Sequence, residues 1–393
     1  MTGQDRGEDR KPAYRLIIFM GMVSLFGDIT YEGARSITGP YLAVLGASAG
    51  VVGIVAGFGE FLGYAFRMAS GYLVDRVKAY WLLTFTGYAF IFAIPLLAFT
   101  RHWQWAAVLI VLERLGKAIR TPARDAILSH AAKRVGRGWG FGLHEFFDQV
   151  GAVTGPLVFT MVFVFKGDYA EGFNILWVPA VLSIAFLSGA RMKIPHPEKL
   201  EPRTPALEEA RGMSRLFWLY ALFTFLSVAG VTHFSLISYH LKVSHMATDL
   251  QIPVLYIIAM AADGVVALAI GKIYDRIGLR FLIAAPVLSL PVAFLSFLYG
   301  FRMAIIGIVL WGAVVGIHET VMRAAIADIT PVERRGMAYG IFNAIYGLAF
   351  FAGSTAMGFL YDVSPLLLIA LSVLLEVLAI ITFAATGFYR LHK

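Results

Sequence analysis

Residues 71–76 read GYLVDR, and residues 271–276 read GKIYDR. The glycine, the aspartate and the arginine keep their spacing, and the two copies lie 200 positions apart. A second match has almost the same offset, because Arg124 in the first half recurs as Arg323 in the second. Two matches at a nearly constant offset indicate a tandem duplication, so we expect two related halves.

The composition places both halves in a membrane. The chain has 393 residues, of which 59% are hydrophobic and 15% charged, too few polar residues to cover a soluble domain. Runs of roughly 20 apolar residues mark candidate spans. Twelve occur: 14–36, 48–70, 79–99, 104–127, 139–165, 173–191, 215–240, 250–271, 280–300, 303–327, 337–361 and 365–388. We therefore predict an all-α membrane protein with twelve transmembrane helices in two pseudo-symmetric six-helix bundles.

One long polar stretch separates the bundles. Residues 192–214 contain four prolines among charged residues, a composition typical of a linker. The predicted organisation is an N-terminal bundle over 1–191, a cytoplasmic linker over 192–214 and a C-terminal bundle over 215–393.

The basic residues predict the orientation. With a cytoplasmic amino terminus, 22 of the 33 lysines and arginines fall in the termini, the inner loops and the linker, and four fall in outer loops. This bias predicts a multi-pass inner-membrane protein with both termini in the cytoplasm. The net charge of +8 therefore orients the chain in a membrane, and we expect no nucleic-acid partner.

Several kinds of chemistry are disfavoured because the sequence lacks the residues or motifs that they need. There is no cysteine, which excludes disulfides and thiolate ligands. The string HEFFD at 144–148 lacks the second histidine of a zinc-protease motif, and no phosphate-binding loop is visible. We therefore expect no enzyme and no cofactor. Transport would be driven by an ion gradient, with a proton gradient as the first choice.

The repeated hexapeptide resembles the signature of the major facilitator superfamily, and the resemblance covers the whole chain. The matching residues are Gly71, Asp75 and Arg76 in the first copy and Gly271, Asp275 and Arg276 in the second. The first copy departs from the family pattern, since Val77-Lys78-Ala79 replaces its usual glycine and basic ending. The resemblance implies that these residues gate the cytoplasmic side, with each glycine allowing close helix approach.

Helix five carries a second resemblance. Gly151, Gly155 and Pro156 form a GxxxGP pattern similar to that of the proton-coupled efflux branch of the family. The glycine pair that usually follows is replaced by Phe159 and Thr160. The resemblance favours export.

Charged groups at bilayer depth are costly and usually functional. Four acids are candidate proton-coupling residues: Asp28, Glu32, Glu60 and Asp263. Asp28, Glu32 and Arg35 share one face of the first helix, so Glu32 could instead form a local salt bridge with Arg35. Burial favours the neutral form of a carboxyl group, so its protonation can report which side of the membrane is open.

Five further residues are candidates for the substrate cavity: Arg114, His144, Asp148, His233 and Asn343. Arg114 belongs to a basic ladder on helix four that could attract an anion. His144 and Asp148 share a face of helix five and suit a proton relay or, together with Asp28, a cation site. Arg124 and Asp125 lie near the cytoplasmic end and are expected to join the gate.

We expect a secondary transporter that works by alternating access. The favoured hypothesis is a proton-coupled exporter (antiporter) of a small organic compound. Two alternatives stay open: a divalent metal transporter that uses Asp28, His144 and Asp148, and a proton-coupled symporter of an organic anion that depends on Arg114. The expected partners are a small-molecule substrate and the lipid bilayer, and the protein is expected to be monomeric.

Overall fold

The computed structural model describes residues 11–77, 79–135, 137–197, 213–330 and 335–387, and their regular structure is helical throughout. The first half of the chain forms α1 (Lys11–Val44), α2 (Ala49–Val77), α3 (Tyr80–Ala89), α4 (Trp103–Val135), α5 (Arg137–Val164), α6 (Tyr169–Ile175) and α7 (Trp177–Lys193). The second half forms α8 (Arg215–Gly230), α9 (Phe234–Val243), α10 (Gln251–Ile277), α11 (Ala284–Phe297), α12 (Gly300–Ile329), α13 (Arg335–Val363) and α14 (Pro365–Thr386).

These helices account for the twelve predicted spans, which confirms the fold class. Within the described ranges, ten helical stretches are long and apolar enough to cross a membrane. The other two spans are α4, which carries the basic ladder, and α10, whose apolar part is Gln251–Ala267.

The span over 79–99 continues beyond α3 as two 3₁₀ helices, Phe90–Ala93 and Pro95–Phe99. Two other spans predicted as continuous helices are broken. The span over 173–191 starts earlier and divides at Leu176 into α6 and α7, and Asp168 and Glu171 form a capping box at the start of α6. The span over 215–240 divides between Gly230 and Phe234, where Val231 is extended. Both pieces of each span remain apolar, so the composition alone does not reveal the break.

The described helices group into two compact units. The N-terminal unit contains α1 as far as Arg35 and the chain from Phe66 to the end of α7. The C-terminal unit contains Ser36–Ala65, which holds the end of α1 and the first part of α2, together with α8–α14. The 1–191 and 215–393 division stays a prediction about the bundles, and most of the 192–214 linker lies outside the described residues.

In the N-terminal unit, glycines let α3 and α4 pack closely. A methyl group added at Gly87 would lie 2.7 Å from the carbonyl oxygen of Gly116, and one at Gly116 would lie 2.4 Å from Cβ of Phe90. A core that includes Leu16, Trp81 and Tyr88 fills the space between helices. This packing fixes the position of the charged face of α4.

In the C-terminal unit, α10 packs on α12, and α8 packs on α13 and α14. A methyl group at Gly312 would lie 2.1 Å from the carbonyl oxygen of Ala259, so α10 and α12 touch backbone to backbone. Aromatic side chains dominate the core, with the rings of Tyr220 and Phe342 stacked at 6.3 Å.

Candidate functional site

Three helices of the N-terminal unit present polar side chains on one face each, at steps of three or four residues apart from one adjacent pair on each of the first two. On α1 these are Ser24, Asp28, Tyr31, Glu32 and Arg35. On α4 they are Glu113, Arg114, Lys117, Arg120 and Arg124. On α5 they are His144 and Asp148. The structure brings the three faces together.

Glycines on α5 set the distance to α1. A methyl group at Gly155 would lie 2.5 Å from the amide nitrogen of Gly33, and one at Gly151 would lie 2.9 Å from Cβ of Asp28. Pro156 continues this motif inside α5. The GxxxGP pattern therefore packs α5 directly against the stretch of α1 that carries Asp28.

Arg124 joins all three helices. Its guanidinium donates a hydrogen bond of 2.7 Å to the Ser24 hydroxyl and lies 3.7 Å from the Asp148 carboxylate. His144 Nε2 lies 3.3 Å from the Ser24 hydroxyl and 3.7 Å from Asp148. Arg124 also contacts Asp125 at 3.0 Å, so it belongs to this cluster as well as to the gate predicted from the sequence.

Three cations lie over the Tyr31 ring: Arg35 of α1, at 5.9 Å from the ring centroid, and two closer ones from α4. The guanidinium carbon of Arg114 lies 4.3 Å from the ring centroid, and the Lys117 ammonium lies 3.8 Å from it. Tyr31 and Arg114 are buried. An aromatic face attracts cations but does not neutralise them, so Arg114 and Lys117 both keep their positive charge beside this ring.

Other charges of the cluster are paired. Arg120 contacts Glu113 at 3.1 Å, with both side chains buried, and its guanidinium lies 4.9 Å from the Tyr88 ring. Glu32 and Arg35 form a contact of 3.5 Å one turn apart, which is the local salt bridge considered as an alternative to proton coupling.

Asp28 and Lys117 differ from these pairs. Asp28 is half-buried, and its charged neighbours are Asp148, Lys117, Glu32 and Arg124. Within the described residues, neither Asp28 nor Lys117 takes part in an ion pair of 4.0 Å or shorter. Asp28 and Lys117 therefore lie near each other without forming an ion pair in the described structure.

The proposed metal ligands do not converge. Asp28, His144 and Asp148 are all described, and no group of three acidic or histidine side chains able to hold a metal ion is found in the described part of the chain. His144 and Asp148 instead face Ser24 and Arg124. The arrangement does not support the divalent-metal alternative.

The remaining candidates for coupling and the cavity lie in the C-terminal unit. Glu60 and Asn343 are half-buried, and Asp263 is buried where α10 meets Gly316 of α12. His233 caps α9, since its Nδ1 accepts a hydrogen bond of 3.1 Å from the Ser235 amide. Local capping accounts for the position of His233.

The predicted gating residues end α2 and α10. Arg76 is exposed and donates a hydrogen bond of 3.1 Å to the Tyr72 hydroxyl, and Arg276 is exposed. A methyl group at Gly71 would meet only Cβ of Pro122, at 3.8 Å, among the described atoms. Among the described atoms, this spacing is an ordinary contact and not the close helix approach expected at Gly71. The side chains of Asp75, Gly271 and Asp275 lie outside the described structure.

Sequence reasoning missed a cap formed by Asp362. Its two carboxylate oxygens accept hydrogen bonds of 2.9 Å from the Ala49 amide and 2.8 Å from the Gly50 amide, at the start of α2. Within the C-terminal unit, Asp362 therefore ties the 36–65 segment to α13. The separation of 313 positions hides this contact from any local pattern.

It also missed Ser24 and Tyr31. Ser24 is buried and links Arg124 to His144, and Tyr31 underlies Arg114 and Lys117. Both lie on the face of α1 that carries Asp28, so helical spacing was the signal that could have identified them.

The model of the Major Facilitator Superfamily matches residues 18–318 and 234–392. The chain is 40% identical over 380 residues to an uncharacterized protein of Mycobacterium tuberculosis, covering 95% of this chain and 93% of that one. It is 26% identical over 375 residues to an uncharacterized MFS-type transporter of Methanocaldococcus jannaschii, covering 92% of each.

The fold is also similar to solved transporters. The crystal structure of the nucleoside transporter NupG superposes with a TM-score of 0.72 at 13% identity and covers 96% of this chain and 100% of that one. At this identity the similarity concerns the fold. Taken with the duplicated helices and the charged cluster of the N-terminal unit, these matches show that the chain belongs to the Major Facilitator Superfamily and is a secondary transporter, not an enzyme.

Proposed function

We propose that this transporter couples the movement of a small organic anion to that of a proton. The observation that carries the proposal is the position of Lys117, which lies beside Arg114 on the Tyr31 ring and close to Asp28 without an ion pair among the described residues. A carboxylate or phosphate group of a substrate would supply a negative charge within ion-pair distance of Lys117.

Asp28 provides the coupling. When Asp28 is ionised, its charge offsets Lys117 and repels an incoming anion. When it is protonated, it no longer offsets the Lys117 charge, and Lys117 can pair with the substrate, so the proton and the anion favour each other's binding. By linkage, the anion also raises the affinity of Asp28 for the proton.

The ion pairs around Asp28 support this coupling role because they hold other charged side chains in place. Glu113 holds Arg120, and Glu32 holds Arg35, so these cations are less available to the substrate. Asp148 lies close to Asp28 across the contact between α1 and α5, and His144 lies 3.7 Å from Asp148, so these two residues provide a path for the Asp28 proton. The bias of lysine and arginine supports an inner-membrane location with both termini in the cytoplasm.

A thermal-stability screen tests the substrate class. Purified protein would be mixed with monocarboxylates, dicarboxylates, phosphate esters and organic cations, in acidic and in alkaline buffer. We expect anions to raise the melting temperature, more so in acid, and Lys117→Gln to remove the effect. The matched control is Lys242→Gln, since Lys242 pairs with Asp249 away from the cluster. Stabilisation by anions that survives in Lys117→Gln would refute the proposed site.

A second candidate is the proton-coupled exporter of a small organic compound, with a cationic substrate. Asp28 favours it, because an acid without an ion pair in the described structure can exchange its proton for a cation. The GxxxGP motif, which resembles that of efflux transporters, packs against α1 at this residue. Here protons and substrate compete. Stabilisation by organic cations that is strongest in alkaline buffer and lost in Asp28→Asn would select antiport.

A further inference from the structure

The C-terminal unit contains a broken helix, and a backbone carbonyl at the break contacts the neighbouring helix α14. The helix α8 ends at Gly230, Val231 is extended, and α9 begins at Phe234. The Gly230 carbonyl accepts a hydrogen bond of 2.6 Å from the Ser372 hydroxyl on α14. The carbonyl end of a helix carries partial negative charge, so this break presents a negative pole inside the unit.

Glu376 lies against this pole. It follows Ser372 by one turn of α14, and its side chain is fully buried. A methyl group added at Gly230 would lie 2.7 Å from Oε1 of Glu376, so the carboxyl group occupies the space that the glycine leaves. Neither carboxyl oxygen has a hydrogen-bond partner within the described residues.

The surroundings of Glu376 are polar but uncharged. The helices packed on α14 are α8, α11 and α13. From α11, the buried Ser289 hydroxyl lies beside the carboxyl group without the full geometry of a hydrogen bond. No charged side chain of the described structure acts on it. Titratable groups of the same unit are engaged elsewhere: Tyr220 of α8 donates to the Met322 carbonyl, Tyr361 of α13 contacts His240, and His318 of α12 contacts Ser227.

An ionised carboxylate is unfavourable in this place. Burying an unpaired charge costs several kcal/mol even after relaxation, and the partial negative charge at Gly230 adds to the cost. A neutral carboxylic acid avoids both penalties. Its O–H group can donate to Ser289 or share the Gly230 carbonyl after a small side-chain rotation.

We propose that Glu376 is a proton-binding site of the C-terminal unit, separate from Asp28 in the N-terminal unit. The proton leaves only when α14 or the break between α8 and α9 moves and water reaches the carboxyl group. Ionised Glu376 then repels the end of α8, so loss of the proton stabilises the moved state. Its use as a second coupling proton rests on the proposed function, whereas its protonation does not.

Infrared spectroscopy of the full-length protein in lipid nanodiscs tests the site directly. At neutral pH, the wild type should show the carbonyl stretch of a buried carboxylic acid, which Glu376→Gln should lack and Glu376→Asp should shift. The matched control Glu319→Gln replaces an exposed acid of the same unit and should leave the band unchanged. An identical acid band in the wild type and Glu376→Gln would overturn the proposal.

A sodium ion is the other cation that could neutralise this carboxylate. A second measurement separates a bound proton from a bound sodium ion. Melting temperatures would be compared in sodium chloride and in choline chloride, for the wild type and Glu376→Gln. We expect no sodium-specific stabilisation. A rise in sodium that is seen in the wild type and lost in Glu376→Gln would overturn the proton in favour of a sodium site. Neither readout requires transport, so failure here leaves the Asp28 scheme intact.

Discussion

Arg124 on α4 donates a hydrogen bond of 2.7 Å to the hydroxyl oxygen of Ser24 on α1. The same guanidinium reaches Asp148 on α5, so one side chain ties together the three helices of the charged cluster. The sequence placed Arg124 at the cytoplasmic gate, and the structure adds this second role. Changes at Ser24 should therefore act on the whole cluster.

Ser24→Ala is expected to destabilise the protein. It leaves the half-buried guanidinium of Arg124 without its hydroxyl acceptor, and losing a hydrogen bond to a charged group costs about 1.5–3 kcal/mol. Thermal or denaturant unfolding of purified protein measures the change. Ser188→Ala is the matched control, because Ser188 donates only to the Ile184 carbonyl of its own helix. Equal stability losses in the two variants would contradict the role of Ser24.

Gly155→Ala should separate α1 from α5. The added methyl group would lie 2.5 Å from backbone atoms of Gly33 and Ile29, which cannot rotate away. Such overpacking costs about 1–3 kcal/mol, and transport should fall with it because Asp28 moves relative to Asp148. In contrast, Gly264→Ala adds its methyl group in open space and should be neutral or stabilising by about 0.5–1 kcal/mol.

Asp362→Ala should loosen the start of α2. A carboxylate at a helix amino terminus contributes about 0.3–1 kcal/mol, so release of the 36–65 segment should become about two- to five-fold more frequent. The chain has no cysteine, so a single Ser354→Cys reporter can be labelled without background. Ser354 is buried beneath Gly53, and its labelling by a membrane-impermeant maleimide should accelerate in Asp362→Ala. A reporter at the buried Ser372 should not respond.

The duplicated signature and the apolar runs predicted the helices and the family, because both are properties of the chain itself. The charged faces were also predictable. Asp28 with Glu32, and His144 with Asp148, share helix faces by spacing alone. The charge pairs between helices were not predictable, because they depend on where two helices cross, and glycines such as Gly155 fix that position.

Two missed features depended on packing between segments, and a third was overlooked in the sequence. The break after Gly230 keeps an apolar composition, so the span appeared continuous. Asp362 caps a helix that lies 313 positions away. Glu376 was overlooked although the signal was present, because a lone acid inside the very apolar span 365–388 already marks a functional candidate.

The central claim is that Asp28 holds the coupling proton, and Asp28→Asn tests it most directly. The variant keeps the size of the side chain but cannot ionise. Proteoliposomes would be loaded with a pH-sensitive dye and given an imposed pH gradient, and the anion that most stabilises the protein in the screen would serve as substrate.

We predict that Asp28→Asn still exchanges this anion across the membrane at equal concentrations, but neither accumulates it along the pH gradient nor moves protons with it. Glu145→Gln, at an exposed acid of the same unit, should behave as the wild type. Accumulation of the anion by Asp28→Asn at the wild-type level, accompanied by proton movement, would contradict the account.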